Sequence, residues 1–239
     1  MWLFNSQVSI SESGLLNGFT DYHCHLLPGV DDGVQKTDET LSILHLWEQH
    51  HVKEVWLTPH IMEDIPNEPS ALKSRFEKLK NLYHGDIVLH LSAENMIDNI
   101  LAERLANDNL LPLGIQGNHL LVETSYFNPP YDMDETINDV LSKGLYVVLA
   151  HPERYNYMEM GDYKRLKGQR ILFQLNIPSL VGAYGKNVQK KAEILLDEGY
   201  YDLCCTDTHS LRFVNFFLKG KISKKRVAAV RQIIESTEI

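Results

Sequence analysis

His23-Cys24-His25 closes a short apolar run, and Asp31-Asp32-Gly33 follows a few residues on. In an extended strand, residues two apart face the same side, so the two imidazoles converge while Cys24 turns away. Four further apolar runs end in a ligand-type residue: W-L-T-P-His60, L-S-A-Glu94, L-L-V-Glu123 and V-V-L-A-His151. A fifth, L-C-C-T-Asp207-T-His209, again sets two such residues two apart. The candidate metal ligands are therefore His23, His25, Asp32, His60, Glu94, Glu123, His151, Asp207 and His209. Imidazole and carboxylate donors without thiolate suit divalent manganese, iron or zinc, and this set exceeds what one ion takes. Two or three ions with bridging carboxylates follow. Ions ~3.5–4 Å apart lower the pKa of a bound water and clamp both oxygens of an in-line displacement. That chemistry is hydrolysis, most naturally of a phosphate ester.

Arg154, in A-His151-P-E-Arg154-Y, lies three residues past a candidate ligand and could fork onto phosphate oxygens; the alternative is an ion pair with Glu153 or a loop acid. Arg212, three residues after His209, is a second candidate phosphate clamp. Cysteine-based phosphatase chemistry needs a thiolate and then, after five intervening residues, an arginine. The chain fails this test: position 30 is Val30, and six residues separate Cys205 from Arg212. Cys24, Cys204 and Cys205 read as small buried strand residues. His45, His50 and His51 read as surface residues, and His84, His90 and His119 as structural. The loop S-Y-F-N-P-P-Y, from Tyr126 to Tyr131, offers aromatics that could wall a pocket, while Gly182-A-Y-Gly185 reads as a loop turn.

These residues need a frame that brings six segments to one place. Apolar runs predict strands at about 18–24, 53–58, 86–92, 119–123, 145–150, 170–176 and 202–206. Amphipathic patterns predict helices from Thr37 to His51, Ser70 to Tyr83, Ile97 to Asn107, Asp134 to Lys143, Tyr163 to Lys167, Val188 to Glu198 and Ser223 to Glu235. Thr37 reads as a start signal, and Gly144 and Gly199 as stops. Strict alternation predicts an α/β fold with a parallel sheet, closed as a barrel related to the (β/α)₈ type or open and doubly wound. Either way the candidate ligands fall at the carboxyl ends of strands, where such folds build their sites.

No repeat or linker interrupts residues 1–239, so a single domain is expected. Composition is that of a globular protein, with 44% hydrophobic and 23% charged residues. No apolar stretch approaches the ~20 residues of a membrane span, and M-W-L-F-N-S-Q lacks the features of a secretory signal, so a cytoplasmic location without membrane insertion is expected. Three cysteines without a disulfide pattern agree. A net charge of −9 weighs against a general nucleic-acid binder, whose affinity comes from neutralising phosphates.

D-Y-H-C-H-L-L-P-G-V-D-D-G, T-P-H, A-E-N, V-E-T, A-H-P-E-R-Y, Q-L-N-x-x-S-L-x-G and T-D-T-H occur in that order from about residue 20 to 212. Together they resemble the bacterial manganese-dependent protein-tyrosine phosphatases of the polymerase and histidinol phosphatase (PHP) superfamily, of the capsule and exopolysaccharide type. The resemblance implies a distorted seven-stranded (β/α) barrel with three divalent metal ions, manganese foremost and iron or zinc as alternatives. It implies one ion on His23, His25, Glu94 and Asp207, a second on Glu94, Glu123 and His151, and a third on Asp32, His60 and His209. Arg154 matches the phosphate-binding arginine. The implied reaction is in-line attack of a metal-bridging hydroxide on phosphotyrosine, without a phosphoenzyme. The implied partner is a phosphotyrosine protein, a tyrosine autokinase of polysaccharide synthesis. The chain departs from the pattern after its last histidine, where S-L-Arg212-F-V-N-F-F replaces a short spacer and R-P-P. Two other readings share the metal logic: a small-molecule phosphoesterase such as a histidinol-phosphate phosphatase, and a non-catalytic metal-binding accessory module.

Overall fold

The structure is a computed structural model that describes residues 7–237 and residue 239; residues 1–6, on which the reading of the amino-terminal segment falls, lie outside the described residues. In chain order the elements are β1 (Gln7–Ser9), α1 (Ile10–Ser13), β2 (Thr20–Cys24), α2 (Thr37–Gln49), β3 (Glu54–Leu57), β4 (His60–Ile61) and α3 (Pro69–Leu82). Then come β5 (Val88–Leu91), β6 (Glu94–Met96), α4 (Asn99–Ala106), β7 (His119–Glu123), α5 (Met133–Ser142), β8 (Tyr146–Ala150), α6 (Met160–Gly168) and β9 (Leu172–Asn176). The chain closes with α7 (Lys186–Asp197), β10 (Leu203–Cys205), α8 (Leu211–Lys219), β11 (Lys221–Ser223) and α9 (Lys224–Ser236). Single 3₁₀ turns follow β8 at Pro152–Arg154 and β9 at Ile177–Val181.

The fold is mixed α/β with mostly parallel pairing. One sheet runs β10-β9-β8-β7-β6-β4 and another β2-β3-β5, all parallel. Two expected strands, 53–58 and 86–92, are each followed by a second short strand: β3 leads to β4 across Thr58-Pro59, and β5 to β6 across Ser92-Ala93. Proline has no N–H to donate, so Pro59 interrupts the ladder where the ligand-type residues begin. Hydrogen bonds from Ser92 N to Leu57 O (2.9 Å) and from Glu94 N to Pro59 O (3.1 Å) carry the pairing across the break. Past β10 the chain turns against β2, with Asp207 N donating to His23 O and His25 N to Thr208 O, each at 2.9 Å. Buried Asp21 strengthens that seam by accepting from Thr206 N at 2.8 Å and from its hydroxyl at 2.5 Å.

The helices pack their apolar stripes on these strands. In α2 the buried residues Thr40, Ile43, Leu44 and Trp47 recur at helical spacing, and Trp47 meets Phe217 of α8 edge to face at 6.4 Å. Fully burying such side chains contributes about 1.5–3 kcal/mol each. Gly144 and Gly199 adopt left-handed conformations just past α5 and α7, as their stop role requires. Thr37, in contrast, is the first residue of α2 rather than its cap, which is Lys36 without a side-chain cap bond. Two features went unforeseen. One is α8, capped by Ser210 and buried through Val214, Phe217 and Leu218; the other is the antiparallel pair β1–β11. Among the described residues no helix is long and apolar enough to cross a membrane.

Candidate metal centre

Six segments deliver the nine candidate ligands to one end of the parallel strands. His23 lies in β2 and His25 just past it, so the two-residue spacing brings their Nε2 atoms to 3.0 Å. His60 opens β4 and Glu94 opens β6, in register with each other. Glu123 ends β7, His151 follows β8, and Asp207 and His209 follow β10. Asp32 comes from the loop after β2 and is the exposed member, at the rim. His151 and Asp207 both have positive φ, 32° and 51°, a region that side chains other than glycine seldom adopt. Such strain concentrates where a site demands it.

Glu94 is the centre of the cluster. Its Oε2 lies 3.1 Å from His23 Nε2, 3.3 Å from His25 Nε2 and 3.1 Å from His60 Nδ1, and its Oε1 lies 3.0 Å from His151 Nε2. Asp207 Oδ1 sits 3.4–3.5 Å from His23, His25 and His209. His60 Nδ1 is 2.9 Å from Glu123 Oε1, and Asp32 Oδ1 is 3.4 Å from His60 Nε2 and 3.5 Å from His209 Nε2. Donor atoms that share an ion with bonds of ~2.1 Å stand roughly 3.0–3.4 Å apart, so these separations, which also suit hydrogen bonds, would admit an ion. The donor set fits on a second ground: buried His60 Nδ1, Glu94 Oε2, Glu123 Oε1 and His151 Nδ1 carry no hydrogen bond. Unpaired buried polar atoms are costly, and cations between them would satisfy the carboxylate oxygens.

Charge tells the same story. Burial opposes the ionisation of Glu94, but His23 and His60 outweigh it and hold its carboxyl well below the usual range. Asp207 is likewise held far down against burial by His209, His25, His23 and Arg154. Burial and His25 depress His60, yet Glu94 and Glu123 overcome them and push it up to about 10. The surrounding imidazoles and Arg154 thus favour the ionised carboxylates, and divalent cations would take over that role from the imidazoles.

Arg154 reaches this cluster from the turn after β8, and its partner is Asp207: Nη1 donates to Oδ2 at 2.6 Å. Glu153 points elsewhere, accepting from Asn176 N, Ser179 Oγ and Tyr201 Oη. Of the alternative expected for Arg154, an ion pair with Glu153 or a loop acid, the structure has the second form: its partner is Asp207 in the loop after β10, not Glu153. Arg212 lies exposed in the first turn of α8 and has no ion pair among those described. Tyr126 leaves the aromatic loop to cover one face of Arg154, whereas Tyr131 is fully exposed.

Several participants were not singled out from sequence. Asp31, not its neighbour Asp32, accepts from His25 Nδ1 at 2.8 Å and from the backbone N–H of Gly33 and His60. Burial would raise its pKa, but His25 and these donors bring it down to about 2. Gly33 is required for this arrangement, since an added Cβ would lie 2.3 Å from His25 O. Gln174 meets His23 Nδ1 at 2.8 Å, and Asn176 donates to Asp207 Oδ2 at 2.9 Å. Both are polar and two apart in the otherwise apolar L-F-Q-L-N, and that alternation was the available signal. The three cysteines are buried in β2 and β10, and burial pushes their thiols up, which leaves them inert.

Fold and site together define an α/β protein with a histidine–carboxylate centre at the carboxyl ends of parallel strands. The family model for capsular polysaccharide synthesis, CpsB/CapC, matches residues 19–215, and the chain belongs to that family. It is 24% identical over 222 residues to the putative tyrosine-protein phosphatase CapC of Staphylococcus aureus, covering 90% of this chain and 87% of the relative. It is 27% identical over 202 residues to the tyrosine-protein phosphatase YwqE of Bacillus subtilis (strain 168), covering 82% and 79%. Among solved structures it matches one from work on YwqE of Bacillus subtilis and CpsB of Streptococcus pneumoniae, described as unique metal-dependent tyrosine phosphatases. That match has a TM-score of 0.73 at 20% identity and covers 92% of this chain and 95% of the other, a likeness of fold.

Proposed function

We propose that the protein is a metal-dependent protein-tyrosine phosphatase that hydrolyses phosphotyrosine in a partner protein. The observation that carries this reading is the meeting of nine imidazole and carboxylate side chains with a buried-edge arginine, Arg154, tied to one of them. The names of the family's relatives supply the substrate class.

Three divalent ions suit the donors. His23, His25, Glu94 and Asp207 would hold one, Glu94, Glu123 and His151 a second, and Asp32, His60 and His209 a third. Manganese is the first choice, and the same donors accept iron or zinc. When bound, the ions supply positive charge to the phosphoryl oxygens and acidity to the attacking water. The chain's own residues do the rest. Arg154 offers the unengaged part of its guanidinium to the phosphoryl group and balances charge as the tyrosyl oxygen departs. Arg212, exposed beside His209 in sequence, would add a second cation from the solvent side. Tyr126 and Phe127 would flank the aromatic leaving group. The buried thiols take no part.

Residues 1–239 would form one domain built on a distorted seven-stranded barrel, a reading supported by the hydrogen bonds that join β10 to β2 and carry pairing across Pro59. The physiological partner would be a cytoplasmic tyrosine autokinase of polysaccharide synthesis, in keeping with the family's description. The test is to strip the protein with a chelator, reload it with manganese, iron or zinc, and compare phosphate release from phosphotyrosine peptides and histidinol phosphate. Manganese should restore hydrolysis, with phosphotyrosine preferred. Bound metal without phosphotyrosine turnover would end the proposal, and a preference for histidinol phosphate would favour a small-molecule phosphoesterase.

A further inference from the structure

Tyr184 lies in the turn between the 3₁₀ segment Ile177–Val181 and α7, in Gly182-Ala183-Tyr184-Gly185. Both glycines have positive φ, 79° and 91°, so the chain can double back and carry the tyrosine toward the metal centre. Its ring lies 4.3 Å from the guanidinium carbon of Arg154, and the ring of Tyr126 lies 4.4 Å from it. Its hydroxyl accepts from Asn176 Nδ2 at 3.0 Å and donates to Asp207 Oδ2 at 3.3 Å, the oxygen that also receives Arg154 Nη1.

We infer that Tyr184 is a positioning residue for the phosphoryl-binding arginine: with Tyr126 it clamps the guanidinium in one plane while fixing the carboxylate that anchors its Nη1. An arginine on a free stem samples many rotamers, and a ligand that fixes one must overcome that entropy. Here two aromatic rings and Asp207 impose the orientation beforehand. With both stacking neighbours in place and Nη1 engaged, the donors on Nη2 and Nε carry no described hydrogen bond and remain for a planar, two-point contact with a tetrahedral anion. The cavity beside them, of about 560 Å³, is lined by Tyr126, Phe127, Arg154, Asn156, Tyr184 and Lys186 among others, large enough for a phosphorylated aromatic side chain. The role of Tyr184 rests on the phosphatase reading for the anion that Arg154 receives.

The experiment measures inorganic phosphate binding to the manganese-loaded full chain by calorimetry, alongside KM and kcat on a phosphotyrosine peptide. The variants are Y184L, Y184F, R154A and the double variant Y184L/R154A. Y184L should weaken phosphate binding and raise KM by about tenfold, with metal content unchanged. Y184F keeps the ring and should restore binding to within about threefold of the parent. In the R154A background, Y184L should add nothing, because a clamp without its arginine has no task. Additive effects in the double variant, undiminished binding in Y184L, or no phosphate binding by the parent would each overturn the assignment. Should Y184L fail to fold, Y126L removes the other ring of the clamp and must give the same pattern of phosphate binding. Phosphate binding with the predicted pattern, but no turnover of phosphotyrosine, would refute the phosphatase reading and leave the clamp standing.

Discussion

Asp207 divides its carboxylate between two neighbourhoods: Oδ2 receives Arg154 Nη1 at 2.6 Å, while Oδ1 faces the imidazoles of His23, His25 and His209 at 3.4–3.5 Å. One residue thus couples the proposed ion site to the proposed phosphoryl site. Breaking a buried pair of this kind leaves a charge without compensation, which costs about 3–5 kcal/mol. Replacing Asp207 itself should therefore disturb the proposed ion site and the proposed phosphoryl site together.

Asp31 sets the orientation of His25 through a 2.8 Å hydrogen bond to Nδ1, and its other oxygen holds the Gly33 N–H. Asp31→Asn keeps the shape but removes the charge that fixes the ring's proton on that nitrogen. Metal affinity should fall by about 10–100-fold, with the fold intact. Competition against a metal-binding dye measures this directly; unchanged affinity would show that His25 is held by packing alone.

Cys24 sits between two candidate ligands, yet its side chain points away from them, 3.4 Å from Trp56 O. Cys24→Ala should leave hydrolysis within about twofold of the parent, and iodoacetamide should not inactivate the native protein. Stoichiometric loss of activity on alkylation of the folded enzyme would return thiol chemistry to consideration.

His119, at the start of β7, gives a pH signature separate from the cluster. Burial pushes its imidazole below the ordinary value. As pH falls through about 6.5, the unfolded chain therefore binds the proton first. The contribution of this site is complete above that pH and is lost progressively below it. His119→Gln should flatten this part of the profile, seen as the difference between parent and variant in urea denaturation from about pH 7.5 to about pH 5. A difference that does not vary with pH would remove the site from the account.

The convergence of the candidate ligands was legible because strand alternation and the carboxyl-end rule act on local sequence: His23 and His25 share a face whatever surrounds them, and each apolar run points its last residue at the same rim. Asp31 was hidden because the choice between adjacent aspartates depends on how the Gly33 loop folds back over His25. Tyr184 was hidden because a four-residue turn carries no period. Gln174 and Asn176 could have been found as polar residues on one face of a buried strand. The pair β1–β11 links residues more than two hundred positions apart, which no window along the chain detects. The break at Pro59 was readable from proline's missing donor, but its effect was to move His60 into a separate short strand.

His151 and Asp207 hold left-handed backbone angles that glycine would adopt without strain. Each such residue costs on the order of 1–3 kcal/mol. At Asp207 that strain is smaller than the about 3–5 kcal/mol lost when its pair with Arg154 is broken, so glycine there would relax the backbone and still loosen the fold.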